Sequence, residues 1–257
     1  IDISNNGRII SEGNGKVYGI YADNKYLSRN DSDVRLGSGS NIDLSSSNGG
    51  VGIYANSTRL TGEGILSVGN SGVGLYAKDS DVNLNNFTLN LNGDKALGFY
   101  LDGNTNFTGN GNININGNGI LVFNINSNGT FTNDFVINSS AGSTYTLGNV
   151  ADNTFRYTGS ASLAGNGSFI YGKNSAVLLD TGSVINAAED NVVGISMEGQ
   201  YNGSLPSGFQ SGVDAENKGD ITLTGSNSAG IYAENSSRVK NSGNITVGNN
   251  SAGISTK

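Results

Sequence analysis

The chain has 257 residues and a net charge of −7, with 40 Gly, 40 Asn, one Pro and no Cys, His or Trp. Without His or Cys there is no zinc finger, thiol nucleophile, His-ligated haem or Ser-His-Asp triad. With 14 basic residues against 21 acidic ones there is no footprint for nucleic acid, and no run of about 18 apolar residues offers a membrane-spanning helix.

Such a composition invites a reading as low complexity. Ile, Leu, Val and Phe nevertheless total 63 residues, about a quarter of the chain and above the roughly 20% of disordered sequences. They also recur at fixed intervals. In chain order the returning segment is Gly19-Ile20-Tyr21-Ala22, Gly52-Ile53-Tyr54-Ala55, Gly74-Leu75-Tyr76-Ala77 and Gly98-Phe99-Tyr100-Leu101. Weaker copies follow at Gly119-Ile120-Leu121-Val122, Phe169-Ile170-Tyr171-Gly172 and Gly194-Ile195-Ser196-Met197. A strong copy stands at Gly230-Ile231-Tyr232-Ala233, and the last begins at Gly253-Ile254-Ser255. The spacings are 33, 22, 24, 21, 50, 25, 36 and 23 residues. The period is therefore 21–25, the 50 is two periods with one degenerate copy, and the 33 and 36 each carry an insertion.

A second element precedes each copy, as in Ile42-Asp43-Leu44, Phe87-Thr88-Leu89 and Ile221-Thr222-Leu223. A third follows it, as in Arg59-Leu60, Val82-Asn83-Leu84 and Val177-Leu178-Leu179. Each is short, alternating and bounded by Gly, Asn, Ser or Asp, so it reads as a strand between turns. The spacing predicts an all-β parallel β-helix (β-solenoid) of about ten coils of 21–25 residues, with three short strands per coil. One segment spans 1–257, with surface-loop insertions near 23–36 and 199–212 and a degenerate coil at 123–165.

Alternation assigns Val51, Ile53 and Ala55 with their equivalents to the core, and Gly52 and Tyr54 with theirs to the outside. The expectation is an outward Tyr ladder of Tyr21, Tyr54, Tyr76, Tyr100, Tyr171 and Tyr232 beside a groove of Gly, interrupted at Leu121, Ser196 and Ser255. Stacked rings shield strand glycines; they also offer a surface to a sugar or protein partner. Asn110, Asn112, Asn114, Asn116 and Asn118 are expected to stack in amide ladders between coils. The Asn-x-Ser/Thr triplets at Asn56, Asn106 and Asn244 follow from composition and argue little for glycosylation.

The repeated Gly-Ile-Tyr-Ala-x-Asn-Ser, clearest over 219–236 and again over 243–255, resembles the passenger regions of type V autotransporters, in particular the large surface adhesins of fusobacteria. The resemblance covers most of the chain and is weakest at 123–165. It implies a right-handed β-helix exported through the outer membrane by a C-terminal β-barrel. The chain would then be an excised segment of a longer passenger, displayed at the cell surface and tethered through that barrel. Absence of Cys suits passage across a membrane unfolded.

The insertions are the candidate sites, because insertions in solenoids become surface loops. In 23–36, Asn30, Asp31 and Asp33 offer oxygens to Ca²⁺, but without recognisable spacing, and a solvated loop is favoured. In 199–212, Gln200, Tyr201, Phe209 and Gln210 either pack on the wall or contact a partner. In 123–165, Phe131, Phe135, Tyr145, Phe155 and Tyr157 are expected in the core. The leading expectation is an adhesin segment, not an enzyme and without cofactor or metal. It would bind a host-cell or bacterial surface protein or glycan through Tyr201, Phe209, Gln200, Gln210, Tyr54, Tyr76, Tyr100 and Tyr232. No nucleic acid and no direct membrane insertion is expected. A self-associating or passive stalk is the first alternative. A polysaccharide-degrading β-helix is the second, and it requires clustered carboxylates where the sequence scatters its acids singly.

Overall fold

The computed structural model describes residues 2–24, 28, 31–163 and 167–257. Among them there is no α-helix, and 26 strands wind into a stacked parallel β-solenoid. One face, the tyrosine face, carries ten strands. They run from Tyr18–Asp23 through Val51–Asn56, Val73–Lys78, Leu97–Gly103, Ile120–Ser127, Tyr145–Ala151, Gly167–Lys173, Val192–Glu198 and Ala229–Glu234 to Ala252–Thr256. Ten strands enclose about nine turns, a rise of about 40 Å at the strand spacing of about 4.8 Å.

The other two faces depart from three separate strands per coil. In the central turns they join into single long strands, Arg59–Val68, Asp81–Leu91, Asn106–Ile115 and Phe131–Ser139. Toward either end they separate, as in Asp33–Leu36 and Asn41–Leu44, or Ala176–Leu179 and Val184–Ala187. Two of the long strands turn the corner through a register shift, between Gly62 and Gly64 and between Gly109 and Gly111. Gly62 has φ +133°, and a Cβ there would lie 2.0 Å from the Leu36 carbonyl oxygen. Only glycine bends the backbone there while the ladder continues.

Register also corrects the assignment of faces. Ile53 and Ala55 are fully buried, as are Leu75, Ala77, Phe99 and Leu101. Val51, Val73, Leu97 and Ala229 are only half-buried. The glycines point inward instead: a Cβ on Gly74 would meet Leu89 of the core at 2.9 Å and the Gly98 carbonyl oxygen at 2.6 Å. Strict alternation fails because two successive residues, Gly then Ile or Leu, turn inward where the chain enters this face. There is no external Gly groove; the Tyr column is flanked by the column that contains Val51, Val73 and Leu97.

Corners are set by residues in the left-handed region. Ser57, Asp79, Asp152 and Asn174 (φ 47–52°) close the tyrosine face, and Ser71, Lys95, Asn191, Asn227 and Asn250 (φ 51–61°) open it. Asn and Asp tolerate this conformation because short polar side chains bond locally. After the first corner lies a buried column of hydroxyls: Thr58 N donates to Ser80 Oγ (3.1 Å), Ser80 N to Thr105 Oγ1 (3.3 Å) and Thr105 N to Ser127 Oγ (2.9 Å). Backbone donors at a bend, which a sheet ladder would otherwise satisfy, are satisfied here by the next coil.

The Asn columns form as expected. Asn90, Asn114 and Asn138 donate in series to Ser67, Asn90 and Asn114 at 3.0, 2.8 and 3.1 Å. Asn110, Asn116 and Asn118 also bond to the coil before. Asn112 makes no such bond among the described residues. The amides of Asn56, Asn106 and Asn244 are spent on Asp23, Asp81 and Asp220.

The core is aliphatic at both ends and aromatic in the middle. Phe99 and Phe123 stack at 5.2 Å, Phe107 and Phe131 at 5.3 Å, and Phe131 and Phe155 at 5.1 Å. Phe131, Phe135, Tyr145, Phe155 and Tyr157 are all buried. These rings bridge a seam: no ladder joins Phe131–Ser139 to the next strands, Thr154–Tyr157 and Ser160–Leu163. Side chains close it, with Ser139 Oγ and Tyr145 OH both donating to the Ser162 carbonyl (2.8 and 2.6 Å). Tyr157 is fully buried, its hydroxyl has no hydrogen-bond partner, and burial pushes its pKa up. An unpaired buried hydroxyl costs about 1–3 kcal/mol. Tyr157→Phe is therefore expected to raise the urea midpoint at unchanged m; a lowered midpoint would show that the hydroxyl is paired.

Candidate functional site

The tyrosine column is a true stack over four turns. Tyr21 and Tyr54 lie 4.8 Å apart at 10°, Tyr54 and Tyr76 5.1 Å at 2°, and Tyr76 and Tyr100 5.1 Å at 9°. Tyr21 OH donates to Asp23 (3.2 Å), and Tyr76 OH to Asp102 (3.3 Å). Burial, with Asp102 adding to it, pushes the Tyr76 hydroxyl up to about 12.

Beyond Tyr100 the register differs from the sequence expectation. Phe99 pairs with Phe123 and Tyr100 with Asn124, whereas Leu121 pairs with Leu97 in the flanking column. The ladder is therefore broken first by Asn124, not Leu121. The degenerate coil supplies Asn149 in the next slot. Core matching misled the motif: Val122-Phe123 is the Gly98-Phe99 equivalent, and it contains no Gly. Tyr171 then occupies the slot, followed by Ser196, Tyr232 and Ser255. Tyr54, Tyr76 and Tyr100 thus lie together, while Tyr232 is a single ring between two serines, its hydroxyl donating to Glu234 (3.0 Å).

The insertion at 199–212 folds onto the wall. Gly199 (φ +80°) matches Asn174 (φ +47°) in the previous turn, so the chain leaves the corner as other turns do and then detours. Both ends are held by Asp214, whose side chain is fully buried. It accepts from Tyr201 N (2.9 Å), Arg238 N (2.7 Å), Arg238 Nε (2.9 Å) and Arg238 Nη2 (2.8 Å). Desolvation opposes its charge, but the Arg238 and backbone bonds win and hold the carboxyl below the usual range. Gln200 Nε2 donates to Ser236 O (2.7 Å), and Tyr201 OH to Ser204 O (3.2 Å). Farther along, Lys218 Nζ donates to Gly208 O (3.0 Å) and Lys240 Nζ to Gln210. Beneath that part, Glu216 is buried 3.1 Å from Lys240 and 3.4 Å from Lys218.

The start of the loop encloses a recess of about 580 Å³ against the corner of three turns. Wall residues Asn128, Asp152, Asn153 and Asn174 face Gln200, Tyr201 and Asn202 across it. A smaller recess of about 290 Å³ lies on the other side of Tyr201, toward Leu205 and Pro206. The lining is one phenol ring, several carboxamides and a single carboxylate. That is hydrogen-bonding chemistry for a neutral polar ligand, with a ring to stack on. Gln200 and Tyr201 are brought together here; Gln210 is bound by Lys240 and Phe209 is half-buried, both outside the recess. The wall amides escaped the sequence reading because they look like turn residues. Their signal is the corner dipeptide, Asp152-Asn153 and Asn174-Ser175, directly opposite the insertion.

In the first insertion, Lys25, Tyr26, Arg29 and Asn30 lie outside the described residues. Asp33 is engaged by Arg59 Nε and Nη2 (2.7 and 3.0 Å) and by Arg35, and the Arg59 bond holds its carboxyl below the usual range. Among the described residues no three His, Cys, Asp or Glu side chains group as a metal site. No known protein family, curated protein or solved structure matches the chain.

Proposed function

We propose that the chain is a length of the rod of a surface adhesin of the autotransporter type, and that it attaches to its partner through the recess walled by the inserted loop. The observation that carries this reading is that recess: an insertion into a regular solenoid, anchored by the buried Asp214 paired with Arg238, sets Tyr201 and Gln200 against a row of wall amides. Loops held on rigid scaffolds are where solenoids place recognition. The partner is a neutral polar surface group, glycan or protein, on a host cell or another bacterium. The repeat motif supports the autotransporter context, with the rod held at the outer membrane by a barrel.

The test is attachment of beads coated with the chain to epithelial cells, to partner bacteria and to a glycan array. Tyr201→Ala is expected to reduce attachment by about tenfold or more, the effect of losing a central aromatic anchor, at an unchanged melting midpoint. Absence of attachment to all three surfaces by the unaltered chain would discard the adhesin reading in favour of a passive stalk.

A further inference from the structure

We propose that the break in the tyrosine ladder is a second binding site, one that takes a single neutral sugar ring stacked on Tyr171. The ladder positions 124 and 149 hold asparagines between the ring of Tyr100 and the ring of Tyr171. The slot at Asn149, with Leu121, Thr146 and Ser168 of the neighbouring column, opens a recess of about 550 Å³ beside Tyr171. It lies within the range of small-ligand sites, about 300–1,000 Å³.

Its lining is specific. Tyr171 forms one side, and its own column gives it no aromatic neighbour: Asn149 pairs on one side and Ser196 on the other. The hydroxyl of Tyr171 donates to Glu198, which fixes the ring before any ligand arrives. Asn149 Nδ2 donates to Asn124 Oδ1 (3.2 Å), and Asn149 Oδ1 accepts no hydrogen bond among the described residues. The hydroxyls of Thr146 and Ser168 line the recess, are half-buried, and make no bond among the described residues. Leu121 and Ile120 supply apolar contacts, and Tyr145, whose hydroxyl is bound to the Ser162 carbonyl, adds a second ring. Among the described residues no Asp, Glu, Lys or Arg lines the recess.

The fixed ring of Tyr171, aliphatic contacts and several uncommitted neutral donors and acceptors suit a ligand with an apolar face and a rim of hydroxyls. A pyranose has both, since its C–H bonds make one face apolar while its hydroxyls donate and accept at the edge. A charged ligand would lose hydration here without meeting a counter-charge.

This site is separate from the loop recess. The strands Tyr145–Ala151 and Gly167–Lys173 carry Thr146, Asn149, Ser168 and Tyr171, whereas Asp152, Asn153 and Asn174 of the loop recess follow their far ends. Thr146 and Asn153 are separated by about 20 Å of extended chain.

The experiment is saturation-transfer NMR and titration calorimetry on the whole chain. The probes are methyl glycosides of glucose, galactose, mannose, N-acetylglucosamine and N-acetylgalactosamine at up to about 10 mM, with N-acetylneuraminic acid as the charged comparison. At least one neutral glycoside is expected to bind, and N-acetylneuraminic acid not to bind. Asn149→Tyr, which restores a ring to the empty slot, is expected to weaken binding about tenfold or more without lowering the melting midpoint. Tyr171→Leu is expected to weaken it similarly, and Tyr201→Ala to leave it unchanged. No binding by any neutral glycoside, preference for the charged sugar, or full binding by a folded Asn149→Tyr chain would overturn the proposal. Loss of glycoside binding in Tyr201→Ala would assign the sugar to the loop recess and overturn it equally.

Discussion

Replacing Asp214 by alanine is expected to cost about 1–3 kcal/mol of folding stability, the range for leaving buried donors without an acceptor, because the Arg238 left behind keeps 40% of its side chain in water. The side chain is fully buried and collects four hydrogen bonds at one point. Two come from backbone N–H groups, of Tyr201 and Arg238, which alanine would leave without an acceptor. The loss falls on function as well, because the Tyr201 bond fixes the first residues of the loop and hence one wall of the recess. Attachment should fall in Asp214→Ala even under conditions where the solenoid remains folded.

The effect depends on pH, and its sign follows from the depressed carboxyl. The folded-state pKa of Asp214 is below its unfolded value of about 4. Its ionised form therefore contributes stability that is present above about pH 4 and is lost as pH falls through the folded value. Asp33, Asp180 and Glu198 are shifted in the same direction. The unaltered chain should thus lose stability below about pH 4, and its advantage over Asp214→Ala should shrink there. Urea midpoints of the two chains at pH 7 and near pH 3 measure this; a difference that grows on acidification would refute the assignment of a charged, paired Asp214.

Phe123→Ala should cost more, about 3–5 kcal/mol. Phe123 is fully buried and stacks on Phe99 at 5.2 Å. It also lies edge-on to Phe131 at 5.3 Å and to Phe155 at 6.0 Å. The cavity cannot close easily, because the strand that carries it is laddered in register to Leu97–Gly103 on one side and Tyr145–Ala151 on the other. A solenoid core is also one coil thick at any level, so no second layer moves in. The ring sits next to the seam before Thr154–Tyr157, where the aromatic cluster substitutes for a missing ladder. Denaturation, followed by Tyr fluorescence, should shift to lower urea; a cost below about 1 kcal/mol would mean the cluster does not hold the seam.

The solenoid was legible because its period was written in the core. Ile53, Leu75 and Ile231 return in the same place, and a coil cannot bury them except by stacking. The loop's departure from the period at Gly199 was legible for the same reason. What was not legible was register where the motif degrades. Leu121 looks like the successor of Tyr100 by local sequence, yet Phe123 must stack on Phe99, and that core contact sets Asn124 in the slot. The direction of the motif glycines was also hidden. Period-2 alternation places Gly74 outside, while the close approach of the Gly98 carbonyl and Leu89 shows it inside. The recess could not be read because its wall belongs to turns up to seventy residues earlier, among them Asn128 and Asn153, which resemble any other corner asparagine.

The most direct test of the account is attachment by a chain from which residues 200–212 have been removed. Joining Gly199 to Val213 reproduces the corner that Asn174 and Ser175 make in the previous turn. The account predicts a chain with the β-sheet circular dichroism of the original and attachment to cells and bacteria reduced to background. Attachment at the original level by that folded chain would contradict it.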